Sequence, residues 1–152
     1  MAIRFEPATP KDIPQMVVLL GKLFEQEAEF TPNAAKQEAA LKMIFDDARV
    51  GRLYVAKDGP KVVAMASTLY TVSTAEGGKA ALFEDLVVHE DYRKQGIGAK
   101  LLEYVIGQAR AEGVLRLTLL TDMQNEQAQA LYRRLGFTGS PMKPMRLKIK
   151  PK

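Results

Sequence analysis

The period of the hydrophobic pattern changes near residue 52, and this change limits the folds that are open to the chain. Before that point, a short alternating strand, Ile3–Glu6, precedes two segments whose apolar residues recur at helical spacing. After it, alternation with period two predicts three strands separated by turns: Leu53–Ala56, Val62–Val72 and Ala81–Val88. The first part of the chain is therefore predicted to be a strand, two helices and a meander of three strands.

Helices and strands alternate in the rest of the chain. The patterns predict helices at Gly98–Glu112 and Asn125–Leu135, and strands at Val114–Thr121, Phe137–Gly139 and Met145–Lys150. A strand, a helix and a strand in succession predict a crossover, which adds a parallel pair to the meander. We therefore expect one α/β (α+β) domain over residues 1–152, in the order βααβββαβαββ. Its mixed central sheet would have about seven strands, with helices on both faces.

Composition is typical of a folded globular domain and excludes several other classes. The 152 residues are 47% hydrophobic and 26% charged, and none is cysteine. Disulfides, Cys-ligated zinc, iron–sulfur clusters and thiol catalysis are therefore excluded. The N-terminal residues lack a basic region followed by an apolar run, and no apolar stretch approaches the ~18 residues that a membrane-spanning helix needs. We expect a cytoplasmic protein without a membrane partner.

The net charge of +4 comes from one end of the chain. Lys143–Lys152 contains five of the 22 basic residues and no acid, so the remainder has 17 basic residues against 18 acidic ones. A nucleic-acid-binding arm is one interpretation of this segment. Met145, Leu147 and Ile149 alternate with its basic residues, however, and this pattern favours a half-buried edge strand. We expect no nucleic-acid partner.

The turn between a buried strand and an amphipathic helix, Tyr92–Lys100, carries the most informative motif. The strand end Leu86–Val88 is continuously apolar. Gly96 and Gly98 allow successive backbone N–H groups to point one way, and the helix N-terminus adds partial positive charge. Basic side chains can supplement them: Arg93, Lys94 and Lys100. The pattern predicts an anion site suited to a pyrophosphate.

Other nucleotide-binding patterns do not match this sequence. A dinucleotide-binding G-x-G-x-x-G motif needs Gly or Ala where Leu101 stands. A Walker A loop needs Ser or Thr after Gly-Lys, and neither Gly21-Lys22 nor Gly78-Lys79 is followed by one. The alternative is a tight turn without a ligand, but that interpretation does not account for the basic residues around the two glycines.

Two motifs in order resemble those of the GNAT N-acetyltransferase superfamily. Arg93-x-x-Gly96-x-Gly98 resembles its acetyl-CoA signature, and Asn125 to Phe137, with Tyr132 between them, resembles its second motif. Glu84-Asp85-Leu86-Val87-Val88, followed by this turn, is similar to the diamine acetyltransferase branch. Lys94 departs from the pattern, since glycine is common there. The resemblance extends along nearly the whole chain and implies the GNAT fold.

The resemblance also implies acetyl-CoA as co-substrate, no metal, and roles for particular residues. Backbone groups of Leu86, Val87 and Val88 would bind the pantetheine arm and polarise the thioester carbonyl. Asn125 would contact the cofactor, and Tyr132 would be the general acid that protonates the departing thiolate. The pyrophosphate would be held by the turn and the start of its helix, which comprise Arg93, Lys94, Gln95, Gly96, Ile97, Gly98 and Ala99.

Glu84 is the candidate general base, acting through a water molecule. It alternates with Leu82 and Leu86 on the strand, so we expect it to share their face and to have a raised pKa beside apolar side chains. A solvated strand carboxylate is the alternative. Asp85 is expected to point to the opposite face and is less favoured. For Tyr132, the alternative is a core aromatic residue.

We therefore expect an N-acetyltransferase that moves an acetyl group from acetyl-CoA to a primary amine by direct attack. A covalent acyl-enzyme is disfavoured, because the sequence offers neither a cysteine nor a nucleophile-elbow serine. The alternative function is a non-catalytic acyl-CoA-binding or sensing domain, which would need the turn but neither Glu84 nor Tyr132. The amine acceptor, a small molecule or a peptide, is left open, although Glu25, Glu27 and Glu29 favour a cationic one. Proteins of this fold often pair, so a homodimer is the default expectation.

Overall fold

A computed structural model describes residues 2–27 and 29–152 of the protein. One compact unit ends at Leu120, and a second comprises Thr121–Lys152. The first contains strands β1 (Ile3–Pro7), β2 (Gly51–Asp58), β3 (Lys61–Ser73), β4 (Gly78–Val88) and β5 (Leu117–Leu119), and helices α1 (Ile13–Gln26), α2 (Ala34–Asp46) and α3 (Ile97–Ala111). The second contains helix α4 (Glu126–Arg134). Short 3₁₀ turns precede α1 at Pro10–Asp12 and follow β4 at Glu90–Tyr92.

The five strands form one mixed sheet in chain order, β1-β2-β3-β4-β5. The first four are antiparallel, whereas β5 runs parallel to β4 after the α3 crossover. The expected mixed sheet is therefore confirmed. β5 is shorter than the predicted Val114–Thr121, partly because the Val114 N–H donates to the Ala109 carbonyl at 2.9 Å and so completes the end of α3.

The prediction of seven strands is wrong, since residues 137–152 contain no strand. The alternating side chains of the last segment are all exposed by more than 80%: Met145, Leu147 and Ile149. Alternation makes a segment suitable for a half-buried sheet, but a strand also needs a partner edge for its backbone hydrogen bonds.

The helices of the first unit cover both faces of the sheet, as predicted. Leu53 and Val55 of β2 point towards α1, where they share a core with Met16. Tyr54 stands between them in the strand, so its ring faces the other side. There it contacts Tyr104 of α3 edge to face, with 5.8 Å between ring centroids.

β4 contains a bulge at Asp85 that the sequence did not predict. Glu84 pairs with Ser67, and Val87 pairs with Met65. Two β4 residues, Asp85 and Leu86, therefore lie opposite the single β3 residue Ala66. Asp85 has φ 57°, in the left-handed region. The extra residue means that Val87, not Leu86, shares the face of Glu84. The expected alternation of Glu84 with Leu86 is therefore wrong, and Val87 instead packs in the core beneath α1.

The second unit is organised around α4. The Asn125 side chain accepts a hydrogen bond from the Ala128 N–H at 3.0 Å, which confirms the predicted N-cap. Gly136, with φ 101°, follows the last turn, and the Phe137 N–H returns to the Tyr132 carbonyl at 3.0 Å. Gln129 Nε2 donates to the carbonyls of Asp122 and Met123, which fixes the preceding loop to the helix.

Candidate active site

β4 has a strand partner along only part of its outer edge. β5 pairs with residues 81–83, and among the described strands none pairs with that edge between Glu84 and Val88. The residues assigned to pantetheine, Leu86, Val87 and Val88, lie in this part of the strand. Such an edge presents backbone N–H and C=O groups that an extended ligand can bind.

The two glycines of the following turn have different functions. Gly96 has φ 78° and directly precedes α3, so its backbone conformation favours glycine. Gly98 is helical, and the nearest atom of a neighbouring element to a Cβ placed there would be Val88 Cγ2, at 3.4 Å. Ile97 between them is 4% exposed and anchors the turn. The first N–H groups of α3 have no helical acceptor, so this is the backbone geometry that an anion cradle needs.

Basic side chains surround this turn. Arg93, Lys94 and Gln95 are exposed. Arg93 Nε donates to the Val88 carbonyl at 3.1 Å, so that carbonyl, which the resemblance assigns to pantetheine, already has one donor. Lys94 has φ 62°, a conformation that costs an L-residue roughly 1–2 kcal/mol. Glycine would be unstrained at this position, and the sequence instead places an ammonium group there.

The sequence pattern disfavoured Asp85 as the general base, but the structure makes it a second candidate. Burial raises its pKa to about 6, and the negative charges of Glu84 and Glu27 add to this effect. Period two assigned Asp85 to the face opposite Glu84, but the bulge interrupts that alternation. Nothing in the local sequence marks the bulge, because the left-handed position is occupied by aspartate rather than glycine.

The end of α1 lies close to the end of β4. A cavity of about 170 Å³ opens between them, and its lining includes Lys22 and Glu25 of α1 together with His89 and Arg93. The charge of Glu27, the residue that follows α1, acts on Asp85. Two of the three acidic residues that favour a cationic acceptor, Glu25 and Glu27, thus adjoin this part of the first unit. The sole histidine has a structural contact, since His89 Nδ1 accepts from the Asp91 N–H at 3.1 Å.

Within the second unit, Tyr132 lies on α4 and packs against Phe137, with 6.0 Å between ring centroids. Burial raises the pKa of Tyr132, so its hydroxyl stays protonated at neutral pH and can donate a proton. Asn125 precedes it by seven residues, and the Asn125 side-chain oxygen is used as the helix cap.

The described residues contain no cluster of three or more His, Asp or Glu side chains that could hold a metal ion. Over residues 2–27 and 29–152, no helix combines the length and apolar character needed to cross a bilayer.

Residues 19–137 match the sequence model of the acetyltransferase (GNAT) family, and this span includes the bulged strand, the turn and α4. The chain belongs to this family. It is an N-acetyltransferase by this match and by its similarity to proteins with that activity. The GNAT fold expected from the two motifs is confirmed, with five strands.

Two curated relatives are N-acetyltransferases with different substrates. The 5-NmdU N-acetyltransferase of Pseudomonas phage PaMx11 is 29% identical over 117 residues, which are 77% of this chain and 70% of the phage protein. The thialysine N-epsilon-acetyltransferase of Bos taurus is 37% identical over 78 residues, which are 51% of this chain and 45% of the bovine protein. The second match therefore spans less than half of its relative.

Solved structures share this fold at low sequence identity. A possible acetyltransferase from Clostridium difficile 630 superimposes with a TM-score of 0.87 at 20% identity, over 99% of this chain and 100% of that one. A predicted acetyltransferase with acetyl-CoA from Clostridium acetobutylicum gives a TM-score of 0.80 at 15% identity, over 97% and 96% of the two chains. These similarities show the fold.

Proposed function

We propose that this GNAT-family protein transfers the acetyl group of acetyl-CoA to a primary amine by direct attack. The observation that carries the proposal is the arrangement at the end of β4: an unpaired strand edge leads directly into a turn with a left-handed glycine, a helix N-terminus and exposed basic side chains. An extended amide arm that ends in a pyrophosphate matches these two features in order.

The residues at this turn have space and charge for that group. A Cβ at position 98 would reach towards Val88, so the space beside the Gly98 backbone is kept open by the absence of a side chain. Arg93 and Lys94 supply positive charge beside it. Acetyl-CoA would supply an activated thioester carbonyl. On the β4 edge, an N–H at Leu86 or Val87 would donate to that carbonyl oxygen and stabilise the charge that develops there.

The amine must lose a proton, because an alkylammonium group with a pKa near ~10 is mostly charged at neutral pH. We propose Glu84, acting through a water molecule, as the group that accepts this proton. Asp85 beside it is the alternative acceptor, since its pKa of about 6 leaves it ionised but basic at neutral pH. The pH profiles of kcat/KM for Glu84→Gln and Asp85→Asn discriminate between the two candidate bases. Only loss of the true base removes the rise of kcat/KM with pH that is due to ionisation of a group on the enzyme.

Tyr132 is proposed as the acid that protonates the departing thiolate. Its raised pKa keeps the phenol in the protonated form that this role requires. Asn125 is proposed as a cofactor contact through groups other than the side-chain oxygen that caps α4.

The acceptor is proposed to be a cationic primary amine, in agreement with the resemblance to the diamine acetyltransferase branch. Glu25 lines the cavity beside β4, and the charge of Glu27 reaches Asp85. Negative potential at this end of the first unit would attract a polyamine or lysine-like substrate and repel glutamate. The relative that acetylates thialysine supports the same substrate class.

Release of free CoA in the presence of spermidine, lysine, a basic peptide or glutamate tests the activity and the acceptor class together. Replacing Glu25, Glu27 and Glu29 by Gln is expected to reduce the preference for spermidine over glutamate. The matched control changes three other acidic residues to Gln, giving the same net charge: Glu38, Glu76 and Glu103. A highest kcat/KM for glutamate would refute the cationic acceptor. Tight acetyl-CoA binding without turnover of any amine would instead favour a sensing domain.

We also propose that the protein acts in the cytoplasm and forms a homodimer, as this fold often does. Light scattering coupled to size-exclusion chromatography and cell fractionation test these two statements separately.

A further inference from the structure

The β2–β3 turn, residues 58–61, is held in place by two other elements. Arg4 of β1 donates to the Gly59 carbonyl at 3.2 Å. Gln15 of α1 makes two hydrogen bonds, donating to the Pro60 carbonyl at 3.2 Å and accepting from the Val62 N–H at 2.8 Å. Because β1 and α1 both fix this turn, it is a firm attachment point for any segment that packs on it.

Tyr92 attaches the segment after β4 to that turn. Its hydroxyl donates to Asp58 Oδ2 at 2.7 Å, although the two residues are 34 positions apart in the sequence. Lys61 Nζ lies 5.2 Å from the centre of the Tyr92 ring, and the His89 ring meets it edge to face at 5.8 Å. The Tyr92 N–H also donates to the His89 carbonyl at 2.9 Å. The ring is therefore held by contacts on several sides.

The residues immediately after Tyr92 are the ones that would bind the pyrophosphate. Positions 93–96 are exposed, and two of them, Lys94 and Gly96, have left-handed backbone conformations. The next buried residue is Ile97. This turn is thus anchored by Tyr92 on one side and by Ile97 on the other, while Arg93 adds a single bond to the end of β4.

We propose that Tyr92, through its hydrogen bond to Asp58, is a positioning residue for the phosphate-binding turn. Its hydroxyl is used in the bond to Asp58, so the role assigned to Tyr92 is to hold the N–H groups of the turn in the arrangement that an anion needs. The inference rests on the proposed use of acetyl-CoA. A hydrogen bond to a charged group of this kind is expected to contribute about a ten-fold gain in cofactor affinity.

The test compares Tyr92→Phe, which keeps the ring, with Asp58→Ala, which removes the acceptor. Each is expected to raise KM for acetyl-CoA about ten-fold, with kcat and the KM for the amine nearly unchanged. The double variant should be no worse than either single one, because both remove the same bond. Asp58→Asn retains an acceptor oxygen and is expected to recover most of the affinity. Tyr104→Phe, a ring on α3 packed against Tyr54, is the matched control and should leave KM unchanged.

Hydrogen exchange of the N–H groups at 93–98 without cofactor separates this inference from the proposed function. Faster exchange in Tyr92→Phe than in Tyr104→Phe supports the anchoring role, and equal exchange overturns it whether or not acetyl-CoA binds. Calorimetry with acetyl-CoA on the unmodified protein then tests the proposed function by itself. If that protein binds acetyl-CoA and Tyr92→Phe binds it equally well, only the positioning role is refuted.

Discussion

Replacing Asp85 with asparagine is expected to stabilise the protein at neutral pH and to have a smaller effect in acid. Asp85 sits at the β4 bulge, where burial and the charges of Glu84 and Glu27 raise its pKa from 3.8 to about 6. The folded state disfavours the ionised form of Asp85, so ionisation lowers the free energy of unfolding. The stability of the protonated form is fully present below about pH 3.8 and is lost as the pH rises through about 6. Asparagine is neutral throughout and avoids this loss.

The magnitude follows from the two pKa values. The difference between 3.8 and about 6 corresponds to a gain for the variant of at most about 3 kcal/mol above pH 7, and about 1 kcal/mol at pH 4.5. For a chain of this length the larger value raises Tm by roughly 6–12 °C. Because the chain has no tryptophan, urea unfolding followed by circular dichroism at pH 4.5 and 7.5 is the appropriate measurement.

The control for this experiment is Asp46→Asn, at the exposed end of α2. It should change the free energy of unfolding by less than about 0.5 kcal/mol at either pH. An equal gain for Asp85→Asn at both values, or no gain at pH 7.5, would show that Asp85 is not destabilised by its charge. If Asp85→Asn is more stable but less active, then the ionised carboxyl lowers the stability of the protein and is needed for the reaction.

Three further outcomes are expected at the proposed site. Gly98→Ala should fold normally because its Cβ would lie 3.4 Å from Val88, whereas Gly98→Glu should abolish acetyl-CoA binding in calorimetry; affinity within a few-fold of the unmodified protein would contradict the phosphate turn. Lys94→Gly should relieve the left-handed strain and keep or raise Tm, yet weaken acetyl-CoA binding several-fold, more at low salt; unchanged affinity would leave Lys94 without a role. Tyr132→Phe should lower kcat by ~10²–10⁴ with little change in cofactor affinity; an unchanged kcat, with chemistry rate-limiting, would make Tyr132 a packing residue.

Most of the fold could be predicted because its elements are determined by local sequence patterns. The order of elements along the chain as far as β5, the helices α1 to α4 and the cap at Asn125 follow from hydrophobic period, glycine positions and capping side chains. The two glycines of the turn could be recognised for the same reason, since both lie in one short motif at the start of α3.

Features that depend on distant partners could not be predicted in this way. Met145, Leu147 and Ile149 alternate with basic residues as in a strand, but alternation alone does not supply the hydrogen-bonding edge that a strand requires. The bond between Tyr92 and Asp58 joins positions 34 residues apart, and neither residue belongs to a pattern that indicates the other. Such a contact can be identified only from the folded structure, which places the β2–β3 turn beside the segment that follows β4.

The bulge in β4 shows how one missed backbone feature changes the chemistry assigned to a site. In a regular strand, Glu84 and Asp85 would point to opposite faces, and a single carboxylate would be available for the reaction. The left-handed residue at Asp85 breaks that rule and leaves both carboxyl groups within one electrostatic environment, because the charge of Glu84 contributes to the raised pKa of Asp85. The same bulge lies at the point where β4 loses its outer strand partner, so the backbone distortion, the unpaired edge and the perturbed acid coincide. A substrate amine that lost its proton at this point would lie beside the N–H groups proposed to polarise the acetyl carbonyl, which is the arrangement that direct attack requires.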